Sequence, residues 1–419
     1  MLGAKLASLA KQGTAQALGL RVAIVGLNFA VMLGLAALLG FETFGRLAAV
    51  WGAALVAGTV VSLGGPVILL RMLTDGQGMR AVDICKIAVL FPCLLALLVW
   101  TIGMGIWPDM PWAAILIAGF VTNVLVCLAT VMRALGSVQA SMALRDAGPQ
   151  VALGVAGVAG QGAQAEVILL GSAGTMCALS VAGFIWIYRR RCQLLLSTGG
   201  RPYFSMSLWA ASVLGMAVAQ MDLIVGGAVM SAEQLGVYAV LRRIANLVAL
   251  PVTVATWVSS PDISAAHGAG DRIALARASA YGSQIAMLPG LALFGFGVLL
   301  VPLLPYVLPQ QAGGGSALVF SILLLGALGQ VALASSFTVV TLCGLPGLAL
   351  AARLLMVLLY LLWSQWWGTE LSATSNALGY AGALTLGGIA LWWAAKRRLD
   401  IDTSARVLLR AKGGQWRTS

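Results

Sequence analysis

The stretch Ser231 to Ser264, SAEQLGVYAVLRRIANLVALPVTVATWVSSPDIS, places two opposed demands on one helix. It opens on a short acidic turn, runs about 24 mostly apolar residues to a stop at Ser259-Ser260-Pro261, and carries Arg242 and Arg243 a third of the way along. Its ten Leu, Ile and Val residues between Leu235 and Val254 contribute about −3 to −6 kcal/mol to insertion, against a cost of roughly 5 to 7 for two arginines at depth. Alone in lipid the helix is marginal. It reads as one wall of a multi-helix bundle, its arginines facing a polar or water-filled interior. Tyr238, Arg242 and Asn246 recur at four-residue intervals and so share one stripe.

The stretch has an echo in the first half. FETFGRLAAVWGAALVAGTVVSLGGP, from Phe41 to Pro66, places Glu42 three residues before Gly45 and ends at Gly64-Gly65-Pro66, the spacing that Glu233 and Gly236 repeat. The two copies stand at equivalent places in halves of similar length, which reads as an internal duplication.

Composition leaves no room for an ordinary soluble surface. Hydrophobic residues make up 60% of the 419, charged residues only 9%, and mean hydropathy is +0.97. The chain therefore reads as an integral membrane protein. Its N-terminus, MLGAKLASLAKQGTAQALGLR, lacks the short apolar core and small-residue cleavage site of a secretory signal, so the apolar run after it is expected to stay as a first helix. The six cysteines lie without paired spacing, and a single histidine, His267, excludes HExxH and multi-histidine ligand sets. No lysine follows a glycine, which excludes a Walker A loop. No catalytic constellation, metal site or cofactor is expected.

The all-α reading places roughly twelve transmembrane helices at 16–39, 47–72, 86–107, 112–135, 145–161, 167–188, 205–229, 235–258, 280–305, 317–342, 348–367 and 373–395. The fifth, around GPQVALGVAGVAG, is short and glycine-rich. The net charge of +12 supports the count by its placement. With the N-terminus inside, Lys5, Lys11, Arg71, Arg80, Lys86, Arg133, Arg145, Arg189–Arg191, Arg201, Arg272, Arg277 and the cluster from Lys396 to Arg417 fall on the inner side. Arg46 alone among basic residues falls outside, with Glu42, Asp109, Glu166, Glu233 and Glu370. This is the positive-inside pattern of a cytoplasmic membrane protein with both termini cytoplasmic, and it sets nucleic acid aside as a partner. The basic turn from Tyr188 to Pro202, YRRRCQLLLSTGGRP, joins two six-helix bundles. The expected organisation is a bundle at 1–188, a linker at 189–204, a second bundle at 205–395 and a basic tail at 396–419. Two halves of equal orientation would be related by a pseudo-twofold axis along the membrane normal, with a transport cavity around it.

The segments FETFGRLAAVWG and QMDLIVGGAVMSAEQLGVYAVLRRIANLVALPVTVATWVSSPDIS, with the basic central linker, resemble the Wzx-type flippases of the multidrug/oligosaccharidyl-lipid/polysaccharide (MOP) exporter superfamily. The resemblance covers most of the chain in layout, with its motif content mainly between Gln220 and Asp271. It implies a transporter, not an enzyme, that moves undecaprenyl-diphosphate-linked oligosaccharide across the inner membrane. It further implies membrane lipids, a polysaccharide polymerase and a chain-length regulator as candidate partners.

Such a substrate needs a cationic, polar route for its head while its tail stays in lipid. Arg242 and Arg243 suit that need, because guanidinium stays charged and offers a fork of donors to phosphate oxygens. Tyr238, Asn246, Gln220, Asn28 and Arg21 complete the candidate lining, with Arg133 and Arg353 near other helix ends. Trp209, Ser212, Ser335 and Ser336 add polar groups inside apolar helices. Arginines near a helix end more often reach out to lipid phosphates. Asp222, about twenty residues before Arg242 across a short turn, is either the partner of an internal salt bridge or a site for a coupling proton or sodium ion. The competing function is a cation-coupled multidrug or metabolite antiporter of the same superfamily, which predicts an acidic, aromatic-lined cavity. A membrane-embedded glycan enzyme is a third, disfavoured because every expected outer loop is short.

Overall fold

The computed structural model describes residues 2–74, 81–108, 110–191, 204–307 and 315–404. Every regular element among them is helical. In hydrocarbon each backbone N–H and C=O must be satisfied within its own segment, and the helix is the local solution. The elements are α1 (Leu2–Val61), α2 (Gly65–Thr74), α3 (Ala81–Cys85), α4 (Phe91–Ile106), α5 (Trp112–Ala134), α6 (Val138–Met142), α7 (Gly148–Ala159), α8 (Ala165–Arg191) and α9 (Met206–Val229). They continue with α10 (Ala232–Asn246), α11 (Leu250–Gly268), α12 (Arg272–Leu300), α13 (Leu304–Val307), α14 (Ser316–Ala332), α15 (Ala334–Leu342), α16 (Pro346–Trp367) and α17 (Ala373–Leu399).

Among the described residues nine helices are long and apolar enough to cross a membrane, and α14 with α15, bent by 41°, makes a tenth. Two local features bring the number to the expected twelve. The long α1 turns at Gly40, whose φ of 76° and ψ of 159° are non-helical, so it comprises two spans. The fifth span is divided by a π-helical turn, which leaves α7 short. With α6 and the π-helical turn Ala143–Ala147 it forms about 33 Å of continuous helix. The chain is a multi-pass, all-helical membrane protein.

Several boundaries differ from the expected ones. The Ser259-Ser260-Pro261 stop does not end its helix, because α11 continues through Pro261 to Gly268. Just before Pro261, Ser259 Oγ donates to Ala255 O at 2.8 Å and Ser260 Oγ to Thr256 O. The interruption comes earlier, at a 3₁₀ turn Leu247–Ala249 preceding Pro251. In the first half the helix breaks at Ser62–Gly64, where Leu63 (φ 49°) and Gly64 (φ 75°) are left-handed. Arg272 and Arg277, expected in an inner loop, lie in the first turns of α12, which Asp271 caps by accepting from Ile273 N and Ala274 N. Hydropathy marks the apolar slab, whereas a cap marks where the helix starts.

The chain divides into two compact units, Met1–Met216 and Ala217–Ser419, and the division falls inside α9. Arg189–Arg191 of the expected linker belong to α8, and 192–203 lie outside the described residues. Of the expected tail, Lys396–Leu399 belong to α17, and 405–419 lie outside. In the first unit α5 is the central helix, packed by α1, α2, α4 and α8. Gly58 of α1 and Gly119 of α5 meet backbone to backbone, so a Cβ on either would strike the other's main chain. Leu69, Met72, Ile87, Leu128, Val131 and Ile187 fill the core at one end. In the second unit α14 is the counterpart, packed by α10, α12 and α17.

Candidate functional site

The deepest charges lie in the second unit and lie together. Ser231 caps α10 by accepting from Gln234 N at 3.3 Å. From that fixed start Tyr238 and Arg242, one turn apart, face the same way. They meet Asp222 of α9. Arg242 Nε lies 2.6 Å from Asp222 Oδ2, and Tyr238 donates its hydroxyl to the same oxygen at 2.7 Å. Arg242 Nη2 donates to Ala219 O and, at 3.0 Å, to Tyr380 Oη. Its guanidinium carbon also stands 4.8 Å from the Tyr380 ring centroid.

A second layer holds the carboxylate's own backbone. Asn376 Nδ2 donates to Asp222 O at 3.2 Å, and Tyr360 donates its hydroxyl to Asn376 Oδ1 at 2.5 Å. Asp222, Tyr360 and Asn376 are 0% exposed. Four helices, α9, α10, α16 and α17, thus converge on one ion pair. Two buried unit charges are tolerated because each neutralises the other and further donors fill the remaining positions. Two atoms of the pair lack a hydrogen bond among the described residues: Asp222 Oδ1, and Arg242 Nε, whose contact with Asp222 Oδ2 is an ion pair without hydrogen-bond geometry.

The other candidates divide by place. Arg243 points off the Asp222 face of α10 and is half-buried. It makes no hydrogen bond or ion pair with a described residue. Asn246 ends α10 one turn beyond Arg242, and Gln220 lies two residues before Asp222; both are half-buried and outside the cluster. Arg21 and Asn28 belong to the first unit, on α1. Asn28 Nδ2 donates to Asp146 O at 3.2 Å, where the π-helical turn frees a carbonyl, and its Oδ1 is buried without a hydrogen-bond partner among the described residues. Trp209 donates to Val60 O at 3.0 Å, beside the break in the second span. Arg353 lies 4.3 Å over the Phe337 ring. Tyr360, Asn376 and Tyr380 were not among the sequence candidates. The four-residue spacing of Asn376 and Tyr380 in an apolar helix was a signal for a shared polar face, but nothing local joins that face to Asp222.

No protein-family model matches this sequence. No characterised protein matches it by sequence either. Solved structures do match its fold. An inward-facing multidrug resistance MATE family transporter of the MOP superfamily superposes with a TM-score of 0.66 at 15% identity, over 90% of this chain and 94% of that one. An outward-facing structure of a MATE family multidrug resistance transporter gives 0.58 at 15% identity, over 91% and 93%. A mutant of the Vibrio cholerae MATE transporter VcmN gives 0.56 at 15% identity, over 94% and 97%. The fold is that of MATE transporters along nearly the whole chain.

Proposed function

We propose that this chain is a secondary transporter of the bacterial cytoplasmic membrane that flips an undecaprenyl-diphosphate-linked oligosaccharide from the inner to the outer leaflet by alternating access. Both termini would be cytoplasmic, and a polysaccharide polymerase and a chain-length regulator would work with it. The fold supports transport: the MATE structures it resembles are described in inward-facing and outward-facing states.

The charge of the site supports the choice of substrate. Arg242 already neutralises Asp222 at 2.6 Å, so the positive charge of Arg243 is left over. A net cationic site of this kind favours an anionic head over an organic cation, and a guanidinium fork matches diphosphate oxygens. Asp222 as a coupling-ion site is the weaker assignment, since its counter-charge is built into α10. Multidrug export is the second reading, favoured by the description of the MATE neighbours as multidrug resistance transporters.

The test is flipping in proteoliposomes loaded with undecaprenyl-diphosphate-linked oligosaccharide. The parent is expected to move the lipid, Arg243→Ala to slow it by about ten-fold or more, and Arg243→Lys to keep part of the rate. A folded parent that moves no such lipid but expels organic cations replaces this reading with the antiporter.

A further inference from the structure

The described residues after α17, Asp400–Ser404, stay against the bundle. Asp400 adopts a left-handed conformation (φ 56°) at the end of α17 and reverses the chain. The next residues lie in a groove between α11, α12 and α15 of the second unit. Ile401, 4% exposed, packs in one cluster with Ile263, Ala266, Leu275, Ala278, Val339 and Cys343. Thr403 is fully buried. Its hydroxyl meets Ser336 Oγ at 2.7 Å, and its carbonyl accepts from Ser283 Oγ at 3.4 Å. Asp402 shapes the segment, with Oδ1 accepting from Trp392 Nε1 at 2.9 Å, Ser404 N at 3.0 Å and Ser404 Oγ at 2.7 Å.

Two features mark this contact as releasable. The segment has no regular structure of its own, so side-chain contacts with the groove and with Trp392 of α17 are what hold it. The groove is walled by serine hydroxyls: Ser283 and Ser335 bond each other at 2.8 Å, and Ser335 Oγ donates to Ser279 O at 3.2 Å. A hydroxyl both donates and accepts, so water replaces a departing partner with little loss. Ser279 Oγ is buried without a hydrogen-bond partner among the described residues.

We propose that Asp400–Ser404 is a releasable strap that ties α11, α12, α15 and α17 at this end of the second unit and restrains their opening, an autoinhibitory contact within the chain. Its effect on turnover rests on the transport reading above, whereas its docking does not.

Cys343, 5% exposed beneath Ile401, reports docking directly. In a chain keeping Cys343 as its single cysteine, maleimide labelling in detergent is expected to be slow. Truncation after Leu399, Ile401→Ser and Thr403→Val are each expected to speed labelling by about ten-fold or more, with helix content unchanged. The point variants serve if the truncated chain does not fold. Labelling as slow in folded variants as in the parent overturns the strap. In proteoliposomes the same variants are expected to transport about two- to three-fold faster while unfolding at lower temperature. Transport unchanged or slowed overturns the restraint. A parent that moves neither lipid-linked oligosaccharide nor organic cations overturns the transport reading instead, and labelling still decides the strap.

Discussion

Arg242 and Arg243 are neighbours in sequence with opposite fates. Arg242 is tied to Asp222, Tyr380 and the Ala219 carbonyl, whereas Arg243 is half-buried with no such tie. Removing one member of the buried pair strands the other charge, so Arg242→Ala or Asp222→Ala is expected to lose about 3–5 kcal/mol. The double variant Asp222→Asn with Arg242→Gln, which leaves no lone charge, is expected to lie nearer the parent than either single variant. Thermal unfolding in detergent reads both. Arg243→Ala is expected to leave the unfolding temperature nearly unchanged, a shift of about 0.5 kcal/mol or less. Stability and transport therefore separate the two arginines. The Tyr238, Arg242 stripe was legible because a helix repeats every 3.6 residues. Its partners on α16 and α17 were not, since residues more than a hundred positions apart meet only when the helices pack.

Elements in this chain are set by apolar length and adjusted by backbone chemistry. The apolar runs located the spans; one interruption falls at the Gly64-Gly65-Pro66 cluster, whereas the other comes at Leu247–Ala249, before and not at Ser259-Ser260-Pro261. Pro261 sits inside α11 while serine hydroxyls serve neighbouring carbonyls. The break before α2 gathers Ser62, Leu63 and Gly64, and Trp209 serves the Val60 carbonyl there. Trp209→Phe is expected to destabilise the first unit by about 1 kcal/mol, measured by thermal unfolding. Gly119→Leu is expected to prevent α1 from seating on α5 and to abolish folded yield, since its Cβ alone would strike Ala54 O and Gly58 N. The strap has a pH dependence of known sign. Burial raises Asp402, but hydrogen bonds from Ser404 and Trp392, with Lys396 nearby, outweigh it and hold the carboxyl below its usual range. A depressed folded value means that the contribution is complete above the unfolded value, about 3.9, and is lost as pH falls through the folded one. Cys343 labelling corrected for thiolate content is therefore expected to be flat from about pH 8 to about pH 5, and to rise only in stronger acid. Labelling that accelerates between pH 7 and 6 would assign control of the strap to another group.

At the scale of the whole molecule, the flippase proposal raises the question of what would drive net movement. Carrying an uncompensated diphosphate head outward from a negative interior releases about 2.3 kcal/mol per charge at 100 mV. With Asp222 neutralised internally, no exchanged cation is needed to balance the site. An inside-negative potential is therefore expected to shift the steady-state distribution of lipid-linked oligosaccharide outward, and dissipating it to return the distribution toward equality without stopping exchange. A strict requirement for a sodium or proton gradient at zero potential would restore Asp222 as a coupling site.

The sequence by itself determined that the chain is helical and spans the membrane many times. Those properties follow from local quantities: how long an apolar run is, what caps it and where basic residues gather. Only the tertiary structure decided which charges are spent on each other and which remain. It alone seated Thr403 among the serines of α12 and α15. Desolvated ion pairs and docked tails depend on distances between distant segments, and no period or composition along one chain encodes such a distance.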